Sequence, residues 1–362
     1  RVAAGATRGW NGVNQPARNL SGGGQSSLGT GGLTVQNSVA SAFTGQIDGG
    51  GSLIKQGVGD FTLSGNNGYT GGTSINAGQL IIQNGSALGS GRVTNHRFRE
   101  LPLHADGPVV SQPAGTGSVL KSGPSVATLS AAGSTAGAVT VGGGTLSFAQ
   151  SGNFQAAALT TLGGATTDLR AGAAITLNGA FTQNSGATLN PSLGDLTPII
   201  RADSANLAGA LNIDGFGSNM ARASAALIRH VIIQSAQVIN SDFDSISFGS
   251  QGTDWDFLIL DGRVDNGIGV GHTYSVGLEL AWNATNPDQA HGTFTLPQAD
   301  DNFELDLALG DVGGSAANNW NGRDLTKAGL GNLTLSAANT YTGLTEIRAG
   351  TLTAGINDAF AR

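Results

Sequence analysis

The sequence predicts an all-β chain folded as a right-handed parallel β-helix, a solenoid of short stacked strands. Three observations carry that prediction. The composition is rich in turns and poor in bulk: 59 of 362 residues are glycine, 11% are charged and 6% are aromatic. Gly and Asn supply the positive-φ positions that tight turns need. Apolar residues fall in short alternating groups, Phe61 and Leu63, then Ile75, then Leu80 and Ile82, which is the period-two signature of half-buried strands. And one unit returns: Leu53–Leu80 aligns without a gap on Leu325–Leu352, with 16 of 28 positions identical.

Within that unit, SGNNGYTGG and NAG separate the apolar groups and are turn chemistry. Each copy therefore reads as three short strands coiled into one rung, with Ile75 and Leu80 pointing inward. Stacked rungs set each strand about 4.8 Å from its equivalent, and parallel crossovers are overwhelmingly right-handed. A rung of about 20–25 residues implies on the order of 15 rungs, a length of roughly 70 Å.

Taken in order, residues 1–90 read as rungs, with GGLTVQNSVASAFTGQI (Gly31–Ile47) alternating ahead of the clear unit. Residues 91–130 break the pattern. GRVTNHRFRELPLHADGPVVSQPAG (Gly91–Gly115) carries Arg92, Arg97, Arg99, His96 and His104, with Pro102, Pro108 and Pro113. Proline disfavours interior strand pairing, so this segment reads as a loop excursion; a locally altered reading frame is the other explanation of its composition. Residues 131–221 return to rungs through AVTVGGGTLSFA (Ala138–Ala149), AAITLNGAFTQNSGATL (Ala173–Leu189) and ANLAGALNIDGF (Ala205–Phe216). Residues 222–290 hold longer, more aromatic strands, either a larger-rung section or a small appended β-module. The best helix candidate, Asn219–Ile232, runs straight into β-branched residues. Residues 291–362 hold the second clear unit and stop at GINDAFAR; with the start at Arg1, this reads as a piece of a longer protein.

Net charge is −7, from 17 Lys and Arg against 24 Asp and Glu, which offers no row of cations to phosphates and excludes nucleic acid as a partner. Cysteine is absent, excluding disulfides, thiol nucleophiles and cysteine metal sites. Its absence also suits export to an oxidising compartment. No apolar run approaches the roughly 20 residues of a membrane helix, and RVAAGATRGW lacks the apolar centre of a signal peptide.

LIKQGVGDFTLSGNNGYTGGTSINAGQL and LTKAGLGNLTLSAANTYTGLTEIRAGTL resemble the passenger-associated strand repeat of bacterial autotransporters (type V secretion). FTQNSGATLN, LAGALNIDGF, DFLILDGRVDN and YSVGLELAWN are similar to passengers of the AIDA-like adhesin group. The clear motif covers two windows, Leu53–Leu80 and Leu325–Leu352; the looser likeness covers most of the chain beyond Gly115. The resemblance implies a β-helical passenger exported across the bacterial outer membrane, acting as an adhesin or in autoaggregation and biofilm. It also implies membrane attachment only through a translocation barrel, which these 362 residues lack.

Chemistry is thin by comparison. There is no G-x-S-x-G stretch, and five histidines leave little material for a hydrolytic triad. In DWDF, Asp254 and Asp256 share one strand face with Trp255 on the other, within the ~5–10 Å separation that glycosidases use. Asp300, Asp301, Glu304 and Asp306 form the densest acidic run, without the spacing of calcium-binding repeats. The plain reading of both is a solvated acidic edge. No catalytic residue, metal site or cofactor is assigned; a glycan-acting hydrolase or lyase is the alternative function.

Two surfaces are candidates for contact. Arg92, Arg97 and Arg99 would meet an anionic glycan or lipopolysaccharide, or simply form an exposed, protease-sensitive loop. Tyr69 and Tyr341 recur at one place in the repeat and read as caps on a rung edge. Around them, Asn66, Asn67 and Thr70, with Asn339, Thr340 and Thr342, read as outward residues of polar ladders. Such rows would pair with a copy on a neighbouring cell, or with a host or matrix polymer. Each hydrogen bond is worth about 1 kcal/mol net, summed over many rungs.

Overall fold

The computed structural model describes the whole chain except residues 11, 97–99, 104–106, 110–112, 130–134, 150–151, 171, 194–198, 214–228, 249–254, 268–270, 285 and 361–362. It is all-β, and stacked parallel strands form a β-solenoid of about 14 turns among the described residues. The chain divides into two units. The first comprises Arg1–Asp214, Val231–Ser247 and Val264–Tyr274; the second comprises Gly215–His230, Phe248–Arg263 and Ser275–Arg362.

In the first unit equivalent strands of successive rungs pair in parallel and build several sheets along the stack. One sheet runs Gln15–Ala17, Leu33–Val35, Leu53–Lys55, Thr73–Ile75, Val93–Asn95, Pro113–Gly115. Its register pairs Leu33 with Leu53, Leu53 with Thr73, Thr73 with Val93 and Val93 with Pro113, the same step along the chain each time. A second sheet carries Ser41–Phe43, Phe61–Leu63, Leu80–Ile82, Glu100–Leu103 and Ser118–Lys121, with a step that varies from rung to rung: Ser41 pairs with Phe61, Phe61 with Leu80, Ile82 with Leu103 and Glu100 with Ser118. Within the strands burial alternates. Leu33, Leu53, Phe61, Leu63, Ile75, Leu80 and Ile82 are fully buried, as the pattern predicts for Ile75 and Leu80. Each contributes about 1.5–3 kcal/mol of apolar burial. Further along the step grows, so that Thr188 pairs with Ala210 and Ile200 with Ile233.

Glycine has a specific place in this stack. A Cβ on Gly51 would lie 1.8 Å from the Gly31 carbonyl oxygen, and one on Gly65 would lie 1.8 Å from that of Gly45. At these points one rung's backbone rests on the previous rung, and only hydrogen fits between them.

The loop excursion expected at Gly91–Gly115 is not what the described residues show. Val93–Asn95, Glu100–Leu103, Gly107–Val109 and Pro113–Gly115 are strands, and Val93 to Pro113 keeps the step of the rungs before it. The prolines are tolerated for a positional reason. Pro108 and Pro113 sit in the terminal strands of their sheets, where a missing N–H removes no ladder bond on the open side. Pro102 lies in a strand that meets Leu80–Ile82 at one position only, Ile82 opposite Leu103. The candidate helix at 219–232 falls largely outside the described residues; 229–232 lie in the strand Arg229–Ser235. Between 222 and 290 the strands are longer, eight residues in Leu258–Asp265 and nine in His272–Leu280.

The second unit repeats the plan with two three-stranded parallel sheets. Thr293–Thr295, Leu325–Ala328 and Thr345–Ile347 form one; Asn302–Leu305, Asn332–Leu335 and Thr351–Ala354 form the other. Its core is more aromatic. Trp255 stacks on Phe257 at 5.6 Å, Phe257 meets Phe294 and Phe303 at 5.0 Å, and Trp282 packs edge-on against Trp320 and Tyr341.

Candidate functional site

The recurring phrase is built from three side-chain clamps; the first two act on the backbone of neighbouring rungs, and the third joins two side chains within one rung. The first is lysine. Lys55, Lys121 and Lys327 are fully buried. Lys121 Nζ donates to the carbonyls of Ser122, Gly123 and Gly143 at 3.1, 2.9 and 3.0 Å. Lys327 Nζ donates to Ala328, Gly329 and Ala349 at 2.7, 2.8 and 3.2 Å. Lys55 does the same with Gly57 and, at 3.0 Å, Ala77. An ammonium has three donors and no acceptor; here they meet carbonyls of its own turn and of the turn one rung on. Burial lowers the pKa of Lys327.

The second clamp is asparagine, and it corrects the outward placement expected of Asn67 and Asn339. Asn67 and Asn339 are 6% and 8% exposed. Asn67 Oδ1 accepts from Ile47 N–H at 2.8 Å, and its Nδ2 donates to the Ala87 carbonyl at 2.5 Å. Ile47, Asn67 and Ala87 lie on successive rungs, so a single amide ties three rungs. Asn339 repeats this with Leu309 N–H at 2.7 Å and the Ala359 carbonyl at 2.5 Å. The amide's donor and acceptor match the two backbone groups that the turn leaves without a ladder partner.

The third clamp is tyrosine. Tyr69 and Tyr341 are 0% and 1% exposed, and their hydroxyls bond Thr73 Oγ1 at 2.6 Å and Thr345 Oγ1 at 2.7 Å. Burial pushes both phenols above the ordinary tyrosine range, and the threonine hydrogen bonds offset part of that rise. Asn66, Thr70, Thr340 and Thr342 are exposed. Thr342 is engaged: its N–H and hydroxyl donate to Asp311 at 2.7 and 2.8 Å, which holds that carboxyl below its usual range.

What faces outward is a set of rows along the strands of the first unit. Thr140, Thr160, Thr182 and Asn206 stand opposite one another in successive paired strands, partly or fully exposed. Thr34, Ile54, Ser74 and Thr94 form a second row. Rung-to-rung side-chain bonds run alongside, from Ser64 to Gln83 at 2.9 Å and from Gln36 to Gln56 at 3.2 Å.

Of the basic segment, Arg92 is exposed, His96 lies 3.3 Å from Ser74 Oγ, and Arg97, Arg99 and His104 lie outside the described residues. Asp254 also lies outside them, so the pairing with Asp256 is not on view. Asp256 itself is held by Thr295, whose N–H donates at 3.0 Å and whose hydroxyl donates to the other oxygen. In the acidic run Asp301 is buried and accepts from Gln298 N–H at 2.8 Å, whereas Asp300, Glu304 and Asp306 are exposed. Among the described residues no three His, Cys, Asp or Glu side chains gather as metal ligands. The sequence reading missed one carboxyl pair. Glu279 is raised above the usual range by burial and by the neighbouring Asp261 carboxyl, against the pull of Arg263 and Arg229.

The architecture is thus a parallel β-solenoid whose repeat holds rungs together. Three stretches, residues 53–82, 119–148 and 325–354, match the family described as Passenger-associated-transport-repeat. A relative is the adhesin BmaC autotransporter of Brucella suis biovar 1 (strain 1330), 31% identical over 176 residues. The match takes in 46% of this chain and 5% of that protein, so the chain spans a small fraction of its relative's length. The repeats and this similarity together support a passenger domain of an autotransporter.

Proposed function

We propose that this chain is an adhesive segment of an autotransporter passenger, exposed at the cell surface or secreted, and that it works by many weak contacts along its polar rows. The observation that carries the reading is the row Thr140, Thr160, Thr182 and Asn206, one residue per rung on one sheet. Rows of this kind place hydroxyl and amide groups at the strand spacing, about 4.8 Å. One such contact contributes about 1 kcal/mol net. Linked contacts add through effective concentration, so adhesion grows with the number of rungs engaged. The partner is a copy on a neighbouring cell, or a host or matrix polymer. The similarity to an adhesin supports a non-enzymatic role, and so does Asp256, whose carboxylate is already occupied by Thr295.

The test is sedimentation of cells that display the chain, with and without Lys at positions 140, 160 and 182. Clumping or surface retention should fall sharply in the triple variant while circular dichroism stays unchanged. Mixing displaying cells with bare ones separates self-contact from polymer contact. Undiminished adhesion in the triple variant removes the rows from the mechanism. Release of reducing sugar from polysaccharide would favour the hydrolase or lyase instead.

A further inference from the structure

Within the second unit a groove of about 750 Å³ opens on the outer face of the sheet that contains Thr293–Thr295, Leu325–Ala328 and Thr345–Ile347. That volume falls in the range of small-ligand sites. Thr293, Thr326 and Glu346 stand opposite one another across the three strands and form its floor. The loop from Asn318 to Asp324 forms its wall, with the half-buried Trp320 at the centre.

The wall is firmly built. Ser315 and Trp320 exchange backbone hydrogen bonds at 2.7 and 2.9 Å, and Asn318 Nδ2 donates to the carbonyls of Asp288 and Ala290. The indole N–H of Trp320 donates to the Asp324 carbonyl at 2.8 Å, and its ring packs on Trp282 with centroids 5.0 Å apart. Gly292 lies so close behind that a Cβ there would come within 2.5 Å of Trp320 Nε1. Asn319, also on the groove, has φ 48°, the one positive-φ non-glycine among the described residues.

The charged side chains of the groove are each held by neighbours. Asp324 accepts from Leu344 N–H and from the Asn321 amide, both at 2.8 Å. Glu346 pairs with Arg348 at 2.9 Å. The groove thus offers an aromatic ring, amides and hydroxyls, and two carboxylates, Asp324 and Glu346, against the single cation Arg348 among the described residues that line it, a net negative charge that disfavours an anionic ligand. Apolar C–H faces stack on such a ring, and hydroxyls need donors and acceptors side by side.

We propose that this groove binds a neutral oligosaccharide, with one sugar ring against Trp320 and its hydroxyls bonded to Asn319 and Thr326. The inference stands apart from the polar rows, whose residues belong to the other unit. The experiment uses the full 362-residue chain on an array of neutral oligosaccharides built from glucose, galactose, mannose, fucose and N-acetylglucosamine, with heparin as the anionic arm. Retention on at least one neutral glycan is expected, with affinity reduced at least tenfold by Trp320→Ala. Asn319→Gly keeps the positive-φ turn accessible and should weaken binding at least threefold without changing the thermal melt. The variant with Lys at 140, 160 and 182 should bind the array like the parent, so loss of clumping and loss of groove binding are told apart. No neutral glycan retained by the parent, binding undiminished in both groove variants, or retention on heparin alone would each overturn the assignment.

Discussion

Asn67→Ala should cost far more than its place in a Gly- and Asn-rich turn suggests. The substitution removes one acceptor and one donor, leaving Ile47 N–H and the Ala87 carbonyl buried without their partner. A buried backbone group stripped of its partner costs about 1–3 kcal/mol, so the pair amounts to about 2–6 kcal/mol. Asn66, the preceding residue, is exposed, and Asn66→Ala should stay within about 0.5 kcal/mol. Urea denaturation followed by circular dichroism measures both on the same scale. Because a solenoid can open locally, hydrogen exchange at the Ile47 amide gives an independent reading and should lose at least about tenfold in protection. If Asn67→Ala is no more destabilising than Asn66→Ala, or Ile47 keeps its protection, the three-rung clamp is wrong.

Gly51→Ala should destabilise by about 3 kcal/mol or more, beyond the ordinary cost of overpacking, since the new Cβ meets the Gly31 carbonyl rather than a movable side chain; a stable Gly51→Ala would refute the close stacking. Absorbance at 295 nm should show Tyr69 and Tyr341 un-ionised past pH 10 and ionising with unfolding. Their folded pKa values are raised, so the folded state holds protons that the unfolded state loses above about pH 10. Stability from these groups is complete below that pH and declines above it, and Tyr69→Phe should flatten part of the decline. Glu279→Gln should stabilise at neutral pH and lose that advantage in acid. Its raised pKa means that the folded state binds the extra proton, so the wild-type carboxyl weakens the fold as pH rises; an equal urea midpoint at neutral pH would contradict this.

The sequence carried the solenoid because its evidence is periodic. Leu53 and Thr73 hold equivalent places in successive rungs and stand opposite each other in the sheet, so a spacing within the sequence is also a spatial pairing. The inward placement of Ile75 and Leu80 follows from the same alternation. Asn67 was misread because NNGYTGG is the composition of an exposed turn. What buries it is the pair of backbone groups on adjacent rungs, which no side-chain pattern displays. The lysines did leave a signal, since Lys55 and Lys327 match in the aligned units. A cation kept at one place in both units, where Asp60, Glu346 and Arg348 each stand in one unit only, points to a fixed partner, and carbonyls supply it. The strands at 93–115 were hidden by proline, whose cost depends on whether the N–H side of its strand is used. The groove at Trp320 draws on strands and a loop from separate rungs, and no local motif marks it.

The constant step from Leu33 to Leu53 to Thr73 to Val93 has a genetic corollary. The lysine and asparagine clamps reach backbone groups on neighbouring rungs, so deleting or duplicating one whole step leaves donors facing acceptors and buried residues facing in. A change that falls a single position short of a whole step, or overshoots it by one, would shift a strand's register and turn its apolar side toward water. The chain can thus gain or lose length in whole rungs, each adding about 4.8 Å, while a single insertion inside a strand would break its register. Reach, in this design, is an inherited integer.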